Sequence, residues 1–168
     1  MLGSTKPPKL HDKRERRGGC IPAGGQFGTD ERALANEVTA KLASIRYQHE
    51  QLDFRRAAGE TRALWALANA FLQRAAPWAV NGDRGAVITR VTLNLVRLCA
   101  IAAHSIVPSL SSVVLGAFDD HDTIPHWPRH PIAEILDGGG GDAVKPIGRL
   151  VEKLRDTDAL RLKRRFGD

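Results

Sequence analysis

Four groups of side chains in this 168-residue chain have types and spacings that could do chemistry. The first is His121, His126 and His130 among Asp119, Asp120 and Asp122. Imidazoles and carboxylates bind divalent metals, but metal helices carry pairs such as His-Glu-x-x-His, and none occurs here. The stretch is proline-rich, so a solvated connection is expected and no metal site. The second group is Ser105, Ser109, Ser111 and Ser112. They lack a Gly-x-Ser-x-Gly setting and a neighbouring base, so no catalytic nucleophile and no cofactor are expected. The third is cationic: Arg161, Lys163, Arg164 and Arg165 near the C-terminus, and Arg84, Arg90 and Arg97 at spacings of six and seven. The C-terminal cluster fits phosphate contacts. It fits equally the last turn of a helix, where cations complement the macrodipole. The fourth is a single indole, Trp78, inside Ala75-Ala76-Pro77-Trp78-Ala79-Val80. Pro77 lacks an N–H and restricts Ala76, so a helix must stop there and leave the aromatic at a bend.

The elements that position these groups read as helices. Asp30 offers an N-cap for a first helix over about 31–51, with Leu34, Val38, Leu42 and Ile45 as its apolar stripe. Glu37, Lys41 and Arg46 point away from that stripe. Asp53 is placed to cap a second helix running to about Ala75. Its broad apolar face includes Phe54, Ala57, Thr61, Leu64, Trp65, Ala68, Phe71 and Leu72, which assigns Trp65 to the core. Gly59 is either a weak point costing about 1 kcal/mol relative to alanine or a place for a close helix crossing. Asn69 is assigned to the interior, where an amide with both ends hydrogen-bonded fixes helix register.

After a polar turn at Asn81–Gly85, a third helix over about 86–106 repeats Ile88, Val91, Leu95, Leu98 and Ala102, and Pro108 ends it. Arg90 and Arg97 share one of its faces, and Arg90 is placed to approach the Trp78 bend. His104 is read as a core or rim histidine. A short fourth helix covers Ser109–Leu115. Residues 119–148 form an irregular Pro/Gly-rich segment with one turn near Ile132–Leu136, and 149–168 a basic C-terminal helix or tail. Residues 1–19 read as a flexible basic tail, because prolines, glycines and charges bury too little surface to order themselves. The bundle proper is expected over 20–118.

Composition agrees with helix packing. Apolar residues make up 42% of the chain and aromatics only 5%, so Leu, Val, Ile and Ala must fill the core. The net charge of +6 favours polyanions, of which nucleic acid is the commonest, although charge also serves solubility. Cys20 and Cys99 form no disulfide framework or zinc pattern; Cys99 falls in an apolar stripe and is expected to pack as a small hydrophobe. A reducing, cytoplasmic compartment fits. No apolar run is read as long enough for a bilayer, and no hydrophobic segment follows the N-terminal charges.

The order of these fragments resembles the anticodon-binding helical domain of the methionyl-tRNA synthetases. Ile21-Pro22 resembles that family's Gly-x-Val-Pro step, and Phe54-Arg55-Arg56-Ala57 its Phe-x-x-Ala-Leu step. Asn69-Ala70-Phe71 with Ala76-Pro77-Trp78 resembles its Asn-x-Tyr…Ala-Pro-Trp step, and the Arg165-Phe166-Gly167 ending resembles some bacterial members. The sister synthetases for Leu, Ile, Val and Cys share the bundle but fit these signatures less well.

The resemblance implies an all-α bundle of the class I synthetase anticodon-binding type with irregular tails. It implies methionine-type tRNA as partner, standing alone or split from a separate catalytic subunit. It implies that Trp78, the one reader carried over, stacks on an anticodon base; Arg84, Arg90 and the basic tails are expected, from their charge and position, to contact phosphates. Stacking suits such a role because every base has a π-face. The bland reading is that Trp78 packs the bend. The chain also departs from the family. An Asn and an Arg that read the anticodon from a preceding helix have no counterpart, nor does a Lys after Ala-Pro-Trp; Asn81-Gly82-Asp83 stands near it. No His-x-Gly-His or Lys-Met-Ser-Lys-Ser type motif is present, so the charge needed around an adenylate cannot be assembled from these residues, and ligase activity by this chain alone is not expected. The competing function is a protein-interaction or structural bundle without specific tRNA recognition.

Overall fold

Glu31, not Asp30, sets the start of the first helix. In the computed structural model, which describes residues 19–118, 124–151 and 156–167, helix α1 spans Thr29–Glu50 with Gly28 as its N-cap. The Glu31 carboxylate reaches back to accept the Gly28 N–H at 2.8 Å, which satisfies one of the donors a helix start leaves open. Asp30 therefore lies inside the first turn rather than capping it. Leu34, Val38, Leu42 and Ile45 are all buried, as their spacing requires.

Helix α2 spans Phe54–Ala75 and runs back along α1. Asp53 caps it, accepting the Arg56 N–H at 3.1 Å. Lys41 of α1 and Glu60 of α2 pair at 2.9 Å across the helix junction. Ala57, Thr61, Leu64 and Phe71 form the buried face of α2. Phe54 and Trp65, expected inside, are exposed at 63% and 40%. The buried stripe is narrower than the apolar composition of the helix, so part of its apolar surface is left outside. Gly59 faces open space, which removes the close-crossing reading.

Helix α3, Gly82–Ala103, is the central rod, and Val87, Ile88, Val91, Leu95 and Leu98 are all buried along it. It starts earlier than the polar Asn81–Gly85 turn suggests and ends before Pro108. By length and hydropathy α3 is apolar enough to cross a membrane, contrary to the sequence reading; 61% of that window is buried inside the bundle. Pro108 opens the next helix instead of closing α3, taking the first-turn position where its missing N–H costs nothing. This helix, α4, spans Pro108–Gly116 and packs on α3.

The segment expected to be irregular adds a helix to the core. Helix α5, Pro131–Leu136, packs against α1 and α3 and buries Ile135 and Leu136. Two short strands, β1 at Gly19–Cys20 and β2 at Ala143–Val144, pair antiparallel with Gly19 opposite Val144. They tie the entry of the described chain to the exit of α5. Helix α6, Asp156–Phe166, carries the C-terminal cations and contains no buried residue. The result among the described residues is an all-α bundle with one two-residue ladder. The N-terminal tail up to residue 18, and His121 with Asp119, Asp120 and Asp122, lie outside the described residues.

Candidate functional site

The bend after α2 is built by two backbone choices. Ala76 adopts a left-handed conformation, φ 42 and ψ 62, and its N–H still reaches the Leu72 carbonyl at 3.0 Å. A non-glycine residue there carries strain, usually of about 1–2 kcal/mol, and it turns the chain sharply. Pro77-Trp78-Ala79 then form one 3₁₀ turn, closed by Ala79 N–H to the Ala76 carbonyl at 2.8 Å. Gly85 secures the far side. A β-carbon at Gly85 would stand 2.4 Å from the Val80 carbonyl oxygen, so only glycine lets α3 pass this close to the residue leaving the turn.

The product of this geometry is an indole held outside the bundle. Trp78 is 67% exposed, and the turn carrying it rests on α3. Most of its surface faces solvent, so the bend leaves the ring largely uncovered. Burying such a ring is worth a few kcal/mol to any partner that covers it. Arg74, exposed in the last turn of α2, stands four residues before Trp78. No motif in the sequence marks it, and its exposure is visible only in the fold.

The arginines of α3 behave differently from expectation. Arg84 donates twice to the fully buried Glu31, Nη1 to Oε2 at 2.8 Å and Nη2 to Oε1 at 2.7 Å. Such fork-to-carboxylate pairing is the strong form of the ion pair. Burial alone would raise the Glu31 pKa. The hydrogen bonds from Arg84 and the Gly28 N–H, with the Arg84 charge, outweigh it and hold the carboxyl below its ordinary value. Chiefly through its hydrogen bond to Glu31, the Arg84 guanidinium is shifted upward.

Arg90, placed by its sequence position at the Trp78 bend, is instead almost wholly buried, with 3% exposure. Its Nε donates to the Leu136 carbonyl at 2.9 Å, and its Nη1 to the carbonyls of Pro22 and Gly24 at 3.0 and 2.7 Å. The Phe27 ring lies 4.9 Å from its Cζ, within cation–π range. Asn94, one turn along, donates to the Ile135 carbonyl at 3.0 Å. The buried amide that fixes register is thus Asn94 and not Asn69, which is exposed on α2.

Arg161, Lys163, Arg164 and Arg165 come together on exposed faces of α6, with the Arg165 Cζ 5.2 Å from the Phe166 ring centroid. Pro77 sits at the first position of the 3₁₀ turn. Among the described residues no three His, Cys, Asp or Glu side chains gather as a metal site. Cys99 is a free thiol that burial pushes up to about 12, whereas Cys20 is exposed.

Comparison with known proteins agrees with this geometry. The family model described as the anticodon binding domain of methionyl tRNA ligase matches residues 21–168. A methionine–tRNA ligase of Streptomyces avermitilis is 32% identical over 172 residues, covering 99% of this chain and 30% of the relative. That of Dinoroseobacter shibae is 39% identical over 126 residues, 73% of this chain and 22% of the relative. That of Caulobacter vibrioides is 34% identical over 171 residues, 99% of this chain and 30% of the relative. The chain therefore spans less than a third of the length of these curated relatives.

Proposed function

The chain belongs to the family of methionyl-tRNA ligase anticodon-binding domains, and we propose from that premise that it binds tRNA through Trp78. The observation that carries this reading is the exposure of the indole, 67%, on a turn whose backbone is fixed by hydrogen bonds. A base stacked on such a ring contributes about 1–3 kcal/mol and needs no preformed pocket. Phosphates meet exposed cations, among them Arg74 in the last turn of α2 and Arg161, Lys163, Arg164 and Arg165 on α6. Arg84 is committed to Glu31, and Arg90 takes no direct part.

The partner we favour is a methionine-type tRNA, in a cytoplasmic setting, with the chemistry of aminoacylation supplied by a separate catalytic subunit. Binding falls steeply with added salt, because neutralised phosphates release counterions that salt then restores.

A gel-shift titration against initiator methionine tRNA and an unrelated tRNA tests the reading. Trp78→Ala is expected to weaken binding to the initiator tRNA by roughly five- to hundred-fold. Equal weak binding to both tRNAs, indifferent to Trp78→Ala and abolished by moderate salt, would overturn it.

A further inference from the structure

Among the described residues two that are not glycine hold a positive φ, and both follow a helix: Leu52 at φ 58 after α1 and Ala76 at φ 42 after α2. Left-handed backbone suits glycine, because a β-carbon there crowds the following carbonyl. Ala76 carries a second constraint. It precedes Pro77, whose ring disfavours helical dihedrals at the residue before it and favours extended ones. Ala76 cannot relax into the extended region in place. Its N–H donates to the Leu72 carbonyl at 3.0 Å, and its carbonyl accepts the Ala79 N–H at 2.8 Å. An extended Ala76 would break both bonds and lift the Pro77–Ala79 turn off α3. Beyond the turn the chain is pinned as well, since the Val80 carbonyl stands where a β-carbon on Gly85 would be.

We infer, building on the tRNA reading of Trp78, that Ala76 is a positioning residue: its methyl group confines the turn so that the exposed indole meets a base in one pose. Glycine would be the relaxed residue at this φ, and the chain forgoes it. Alanine supplies instead a narrow left-handed well bounded by steric walls, where glycine has a broad one. The Pro77 ring locks its own φ, so loosening Ala76 loosens the whole turn relative to α2. A ring that is 67% exposed has few neighbours to hold it, and its direction is set by the backbone that carries it. Each freedom frozen on association weakens binding, so a turn fixed beforehand favours stacking. Backbone strain of this kind persists where a fixed geometry serves binding. Leu52 carries the same strain at the other end of α2, about 33 Å away along a 22-residue helix, with Trp78 out of its reach.

The test uses the full chain and initiator methionine tRNA. Ala76→Gly is expected to raise the melting temperature by roughly 2–4 °C, as relief of left-handed strain does, and yet to weaken tRNA binding by roughly two- to ten-fold. Ala76→Ser, which keeps the β-carbon, should retain the parental affinity. Leu52→Gly should raise the melting temperature likewise and leave tRNA affinity unchanged. A readout without RNA goes directly to the ring. The three tryptophans are replaced by fluorotryptophan, and the Trp78 fluorine NMR resonance is assigned by its loss in Trp78→Phe. Its relaxation should report greater mobility in Ala76→Gly than in the parent chain. The positioning role is overturned if Ala76→Gly lowers the melting temperature, or if the Trp78 relaxation is the same in both chains. It is overturned too if Ala76→Gly binds tRNA as the parent does while Trp78→Ala binds it weakly, or if Leu52→Gly weakens binding as much as Ala76→Gly. Trp78→Ala separates these failures from failure of the tRNA reading: if that variant binds as tightly as the parent, the tRNA reading falls and takes the role of Ala76 in recognition with it.

Discussion

The two long sides of α3 present opposite solutions to the same problem. On one side Arg90 and Asn94 reach out to the carbonyls of Pro22, Gly24, Ile135 and Leu136, and every polar contact made there is internal. On the other, Val96 is exposed, the Thr92 hydroxyl is buried without a partner and the α2 stripe faces a trough shared with α4. The first side is closed by the chain itself, because cations and amides in the interior must be paired to be tolerated. The second side is left open, and it is the side whose α2 wall leads to Trp78. A helix with one finished flank and one unfinished flank separates the polar lock of the bundle from its open apolar side.

Breaking the finished flank should have the largest effect. Arg90→Ala leaves three carbonyl contacts unmet and removes the cation over Phe27; the expected loss is on the order of 3 kcal/mol or more, read by urea unfolding. Arg90→Lys should rescue little of it, since an ammonium cannot reproduce the planar fork.

A smaller effect attends the Glu31–Arg84 pair. The folded Glu31 carboxyl titrates below its ordinary value of 4.5, so the pair contributes fully above that value and loses its contribution as pH falls through the lower, folded one. Glu31→Gln should therefore cost on the order of 1 kcal/mol at neutral pH and flatten the acid limb of the stability curve. An acid limb identical in the variant and the parent chain would show that the pair is not what stabilises the start of α1.

The smallest change in stability belongs to the exposed corner. Trp78→Ala, which should be costly for tRNA affinity, is expected to shift unfolding by no more than about 0.5 kcal/mol, as substitutions of exposed side chains do. A large loss of stability would instead mean that the indole braces the bend, and the contrast between the two flanks would need redrawing.

What the sequence reveals follows from the range of the interactions. The stripe Leu34, Val38, Leu42 and Ile45, the Asp53 cap and the stop at Pro77 are local signals, so periodicity and proline chemistry suffice for them. Arg90 is illegible because its partners lie 46 to 68 residues away, and an arginine at helical spacing looks the same whether it faces water or a ring of carbonyls. Asn69 and Asn94 are told apart only by which face of each helix finds a neighbour. Trp65 reads as core because its stripe is apolar, and apolarity alone does not tell a covered face from one left open. Glu31 displaced Asp30 as the capping group because Arg84, 53 residues on, rewards a carboxylate that points inward.

The two thiols differ in setting: Cys20 is exposed in the first strand, while Cys99, part-buried in the lining of the α2–α4 trough, is pushed up to about 12 by burial. Nucleophilic attack requires the thiolate. Maleimide at neutral pH is thus expected to label Cys20 ahead of Cys99, which would set a dye or spin label in the first strand.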